Sequence, residues 1–156
     1  MVTHIYVECS SRNVRQAERY LIFVVDYEED DKQVTDRTGE PVVYKGKGHR
    51  NCTYTEGILI ALAWATLKVP MEGDIHIHTS NAFVVNMIST QLEEWRQRDF
   101  CRSDGTPIKA QGAWRQIAKA LEGRETEASA EKHAYYNWML DRMNGWKDPQ
   151  ENGKPA

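Results

Sequence analysis

Glu56 stands in the first turn of a helix that is apolar on nearly every face, and Ser80 ends the strand that follows. A carboxylate suits the positive end of a helix dipole. A helix carrying Ile58, Leu59, Ala61, Leu62, Ala63, Trp64, Ala65 and Leu67 belongs in the middle of a domain, not on its surface. An acid on a buried helix and a hydroxyl on a strand tip together make a scaffold for a site. A second group mixes cations and rings: Lys45, Lys47, His49, Arg50, Arg96, Arg98, Arg102 and Lys109, with Trp95 and Phe100. Planar guanidinium, ammonium and aromatic faces suit phosphates and bases. The competing reading is ordinary solvated charge, because Glu93, Glu94 and Asp99 interleave. His76 and His78 share one side of their strand with Ser80. Zinc-type ligation with Cys9 or Cys52 as softer partners is one use for them, but two histidines on a half-exposed strand face is the simpler one. Trp64, Trp114 and Trp138 sit at core spacing and read as packing.

The elements that must hold these residues follow from pattern. Ile5, Tyr6 and Val7 lead into Glu8 as a first strand, ended by the polar run Cys9 to Asn13. Arg19 to Tyr27 has a continuous apolar centre, the mark of a strand buried on both faces. Glu28 to Asp31 and the turn Thr38 to Pro41 are solvated, and Val42, Val43 and Tyr44 begin an antiparallel return strand. Lys45 to Arg50 reads as a basic, flexible connection into the central helix, which Pro70 and Gly73 stop. Asp74 to Thr79 alternates as a strand does. Val84, Met87, Ile88, Leu92 and Trp95 then follow helical spacing, and Asp104 to Pro107 breaks the chain. Trp114, Ile117, Ala118 and Leu121 mark another helix, Thr126 to His133 an edge strand, and Tyr135, Trp138 and Met139 a last helix. The order is βββ-α-β-α-α-β-α, a mixed α/β domain over residues 1–144 with a flexible tail over 145–156.

The 156 residues suffice for one sizeable core, and 40% hydrophobic with 28% charged residues is an ordinary globular balance. No apolar run approaches the roughly 20 residues that span a bilayer, and the N-terminal residues lack a signal-peptide pattern. Cys9, Cys52 and Cys101 do not form a paired framework, so a reducing, cytoplasmic setting is expected, with a monomer as the default state. A net charge of −3 exerts no global pull on nucleic acid, so a local basic patch would have to supply it.

With these residues in this order the chain resembles the ribonuclease H family. Thr55-Glu56 opening the apolar helix is similar to the family's second-acid segment, and Ile75 to Phe83 to its strand ending in a T-D-S turn. Leu92 to Phe100, then Gly105-Thr106-Pro107-Ile108 and Trp114, resembles the handle segment with its aromatic and basic marks. Weaker echoes lie at Ile5 to Glu8 and in the last helix. The resemblance implies a ribonuclease H-like fold: a five-stranded mixed sheet, three strands antiparallel and then two parallel, with helices on both faces.

It also implies a two-metal nuclease cutting the RNA strand of RNA–DNA hybrids, with hard dications held by four carboxylates. Carried over residue by residue, the first acid falls on Glu8 and the second on Glu56. The third falls on Ser80 and the fourth on Asn137, with Asp141 one helical turn further along as a possible substitute. Two of four acids are thereby replaced by neutral groups, leaving Glu8 and Glu56 as the metal-capable pair. His133-Ala134 resembles the mobile loop whose histidine helps product leave, and Ser10 to Arg15 replaces the family's glycine-rich turn. Thr53, Trp95, Arg96, Arg98, Phe100 and Lys109 are the nucleic-acid contacts the resemblance implies. The expectation is therefore a nucleic-acid-binding protein, for an RNA–DNA hybrid or structured nucleic acid, with a depleted site and weak or absent hydrolysis. The alternatives are an active enzyme using magnesium or manganese, and a protein-interaction module on the same scaffold with no cofactor.

Overall fold

The architecture comes from a computed structural model, which describes residues 1–10 and 15–146. The expected turn over Ser11 to Val14 and residues 147–156 of the expected tail lie outside the described residues. Five strands and one short extension make a single mixed sheet. β1 (Val2–Cys9), β2 (Ala17–Glu29), β3 (Lys32–Gln33) and β4 (Val43–Cys52) precede α1 (Tyr54–Ala65); β5 (Asp74–Thr79) and β6 (Thr126–Ala130) follow it. Between and after those two strands come α2 (Ala82–Thr90), α3 (Leu92–Gln97), α4 (Gln111–Leu121) and, last, α5 (Tyr136–Gly145). β2 pairs antiparallel with β1 and with β4, while β5 runs parallel to β1 and to β6. That is the anticipated order of three antiparallel and two parallel strands, with β3 added beyond the end of β2 by a two-residue turn at Asp30 and Asp31. Both aspartates take left-handed φ (54° and 62°), the backbone a tight twisted hairpin demands.

The sheet is covered on both faces. Ile5, Val7, Leu21, Phe23, Val25, Ile75 and Ile77 meet α1, α2 and α4, with Ile58, Leu62 and Trp114 among the buried side chains of that layer. Each fully buried aliphatic side chain there contributes about 1.5–3 kcal/mol. On the other face Tyr6, Ile22 and Val24 meet Met139 and Met143 of α5. The double-sided burial foreseen for β2 is what this sandwich requires. α5 runs on through Gly145, and Trp146 packs edge-on to Tyr20 at 5.3 Å, so the first residues of the expected tail belong to the fold.

Lys45 to Arg50 is not a flexible connection but the middle of β4, laddered to β2 from Val43 opposite Asp26 to Cys52 opposite Ala17. Its glycines conceal the strand. A methyl group at Gly46 would lie 2.1 Å from the Phe23 ring, and one at Gly48 2.5 Å from the Trp64 ring. Those two positions are bare because aromatic rings lie across them, and the cations between them point to the opposite face.

Candidate active site

Glu8, on the last turn of pleat in β1, is 2% exposed, and burying a carboxylate is costly unless it is fully bonded. Its partners are all specified. The backbone N–H of Ser80 donates to Oε2 at 2.8 Å and the Ser80 hydroxyl to Oε1 at 2.6 Å. His133, also buried, brings Nε2 to within 2.8 Å of Oε2. The backbone N–H of Tyr135 donates to His133 Nδ1 at 3.2 Å. That contact occupies the Nδ1 lone pair, so the ring proton is on Nε2 and is given to Glu8. Glu8 therefore ties together the end of β1, the end of β5 and the loop between β6 and α5. The Tyr6 ring lies beside His133 on the same sheet face, tilted to it by 51° with centroids 5.3 Å apart.

Glu56 serves a different local purpose. The Thr53 hydroxyl accepts from the Glu56 N–H at 3.2 Å and Glu56 Oε1 accepts from the Thr53 N–H at 3.1 Å, a reciprocal capping box at the start of α1. Asn137 and Asp141 lie exposed on α5. The structure thus joins Glu8, Ser80 and His133 by hydrogen bonds, while Glu56 bonds Thr53. His133 is fixed in place rather than carried on an exposed loop.

These donors do not suit a pair of divalent ions. Hard cations need several carboxylate oxygens free to coordinate. Both oxygens of Glu8 and one of Glu56 are already hydrogen-bond acceptors, and Ser80 and Asn137 bring no charge. Among the described residues no group of three or more His, Cys, Asp or Glu side chains is arranged to hold a metal. His76 and His78 are engaged instead with carboxylates, His76 3.6 Å from Glu127 and His78 3.3 Å from Glu131. His78 also meets His4 at 2.9 Å. Burial holds the His78 imidazole below its ordinary range, opposed by the hydrogen bond to Glu131.

Beside the capping box opens a cleft of about 520 Å³ between α1, α2 and the segment joining α3 to α4. Thr53, Glu56, Phe83, Trp95, Arg102 and Lys109 are among its lining residues. Phe83 is 58% exposed at its mouth, and the Trp95 and Trp114 rings meet edge-on at 5.0 Å in its wall. Of the six expected nucleic-acid contacts, Thr53, Trp95 and Lys109 line this cleft. The other three have structural duties. Arg96 binds Glu93 at 2.8 Å and reaches the Ala118 carbonyl at 2.6 Å, and Arg98 pairs with Glu94 at 3.1 Å. Phe100 is 7% exposed, turned into the core by a left-handed backbone at Asp99 and Phe100. Phe83, Met87 and Ile108 also line the cleft; the sequence marks them as parts of a turn, a helix and the handle segment but not as a binding surface.

Comparison with known proteins places this arrangement. No family model matches the chain. A ribonuclease H from Thiobacillus denitrificans is 27% identical over 70 residues, 45% of this chain and 47% of that protein, so the match spans about half of the curated relative. Among solved structures, LC9-RNase H1, a type 1 RNase H with the type 2 active-site motif, aligns over 95% of this chain and 74% of its own, at 17% identity and a TM-score of 0.63. The RNase H domain of PFV aligns over 91% and 90%, at 16% identity and 0.58. LC11-RNase H1, solved in complex with an RNA/DNA hybrid, aligns over 90% and 92%, at 11% identity and 0.58.

Proposed function

The chain has the ribonuclease H fold, and from that premise we propose that it binds nucleic acid, an RNA–DNA hybrid or a comparably structured duplex, with little or no hydrolysis. The cleft beside α1 supplies the surface. Arg102 and Lys109 offer charge to a phosphate backbone, Trp95 and Phe83 offer flat apolar faces to sugars and bases, and Thr53 stands at the helix N-terminus, where N–H groups attract anions. The partial likeness to a curated ribonuclease H and the neighbour solved on a hybrid support that choice of ligand.

The observation that carries the low-hydrolysis reading is the closed hydrogen-bond set of Glu8. In-line phosphoryl transfer with two metals needs negative ligands around both ions. Here Glu8 already accepts three hydrogen bonds, from the Ser80 N–H and hydroxyl and from His133, and a serine stands where the resemblance implies a third acid. The residues of this chain hold a proton donor against a buried carboxylate and set a neutral hydroxyl, not a second charge, beside it.

Anisotropy of a labelled hybrid tests the binding half. Binding should weaken steeply between low and moderate salt. Paired changes Arg102→Glu and Lys109→Glu should reduce affinity about tenfold or more while leaving the melting temperature within a few degrees. A hybrid that binds no better than a neutral polymer at low salt, or variants that bind as well as the parent, would remove the proposal.

A further inference from the structure

Of the cations in β4, Lys45 and Lys47 stand on the sheet face opposite the handle cleft, and they are dressed differently from those of the handle. Lys45 Nζ lies 4.7 Å from the centre of the Trp138 ring, and the Arg142 guanidinium lies 5.2 Å from the same ring. Lys47 Nζ lies 4.9 Å from the Trp146 ring. A groove of about 280 Å³ runs between them, floored by Ile22 and Gly46. Among the described residues its lining holds three cations and two indoles, and no carboxylate. The contrast with the handle is plain: there Arg96, Arg98 and Arg115 are neutralised by Glu93, Glu94 and Asp99. In a chain of net charge −3, a groove in which every cation faces an indole and none faces an acid is an uncompensated positive site.

We propose that this groove between β4 and α5 binds a single-stranded stretch of nucleic acid, its phosphates on Lys45, Lys47 and Arg142. The inference rests on the nucleic-acid reading above and adds a second contact face to it. Cation–π contacts hold the three charged ends in place on the indoles, so an arriving phosphate meets oriented donors. At about 280 Å³ the groove offers room for a short stretch of one strand. An acidic peptide would need the charges but not the partly exposed indoles of Trp138 and Trp146, against which a base can pack. Register places the groove near the other site: Lys47 is opposite Ile22, and Ile22 is opposite Glu8. Lys47 is thus two strands, roughly 10 Å, from Glu8 on the same face of the sheet. A strand that leaves a duplex in the cleft would reach the groove after passing that end of the sheet.

The test uses the full chain and a labelled oligothymidylate, with affinity measured over a range of salt. Each phosphate contact to a single strand contributes about 0.7 to the slope of log affinity against log salt. The variant Lys45→Gln, Lys47→Gln, Arg142→Gln should lower the slope by roughly 2 and weaken low-salt binding by roughly tenfold or more. Trp146→Phe should remove most of the fluorescence quenching seen on titration with only a small loss of affinity. Arg102→Glu with Lys109→Glu should spare oligothymidylate binding while reducing that of the hybrid. If the triple variant binds oligothymidylate with the parent's affinity and slope, the groove proposal is wrong even where hybrid binding through the cleft survives. If the parent binds neither ligand, both readings fall. If polyglutamate competes as well as oligothymidylate at equal charge, the partner is an acidic protein and the assignment to nucleic acid is overturned.

Discussion

Replacing Ser80 by aspartate puts a carboxylate where the resemblance to ribonuclease H implies a third acid, and the structure says what that should cost. The Ser80 hydroxyl gives its proton to Glu8 Oε1 at 2.6 Å. In Ser80→Asp that donor becomes an acceptor. The loss of a hydrogen bond to a charged group is about 1.5–3 kcal/mol. Two ionised carboxylates about 4 Å apart repel by about 4 kcal/mol at an effective dielectric of 20, part of which is relieved when one of them takes up a proton. Together these give a destabilisation of about 3–5 kcal/mol at neutral pH, a fall in melting temperature of roughly 6–20 °C for a chain of this size. The measurement is a thermal melt in EDTA and again across a manganese titration. A dication shared by the two carboxylates stabilises the variant by about 2.7 kcal/mol once its concentration is 100 times the dissociation constant. The parent should hardly respond, because its Glu8 is already satisfied. Lowering the pH should also rescue the variant. Crowding raises the folded-state pKa of the acid pair, so its penalty is present above that value and is lost as pH falls through it. If Ser80→Asp melts with the parent in EDTA, the clamp around Glu8 does not constrain the fold. If the parent itself shows a saturable rise with manganese, its donor set does hold metal.

The capping box predicts that Thr53→Ala costs about 1 kcal/mol, seen as a drop of roughly 2–4 °C in a thermal melt, and that hybrid affinity falls with it because Thr53 lines the cleft. Burial, with Cys52 and Glu8 adding to it, pushes the Cys9 thiol up to about 12, and burial raises Cys52 as well. A thiol reagent at pH 8 should therefore modify Cys101 quickly and the other two only after unfolding, as followed by mass spectrometry. His78 is held below the usual imidazole range by burial, so protonation favours the unfolded chain. Its contribution to stability is present above about pH 6.5 and is lost as pH falls through the lowered folded value. His78→Gln should flatten the acid limb of the curve of melting temperature against pH.

The fold was legible where pattern was strong. The apolar run of β2, the alternation of β5 and the all-round apolar α1 each fit one place in a double-sided sandwich, and their order carried the topology. What stayed hidden was written in contacts between distant residues. Gly46 and Gly48 look like loop punctuation until Phe23 and Trp64 are seen lying over them. Arg96, Arg98 and Phe100 look like a nucleic-acid surface until their glutamate partners and the core are in view. At the site, the positions of Glu8 and Ser80 could be anticipated, but their bond could not. Glu8 meets residues 72 and 125 positions away, Ser80 and His133, and nothing local in the sequence announces either partner. The neutral Ser80 and Asn137, at positions where the resemblance implies acids, were plain in the sequence; that Glu8 is held by Ser80 and His133 was not.

The account stands or falls on whether this carboxylate can still serve a reaction. An RNA–DNA hybrid labelled on its RNA strand, incubated with excess protein in magnesium and in manganese and resolved on a denaturing gel, measures that directly. The account predicts that the RNA stays intact at protein concentrations that fully bind the hybrid. Metal-dependent fragments that disappear with Glu56→Gln would contradict it.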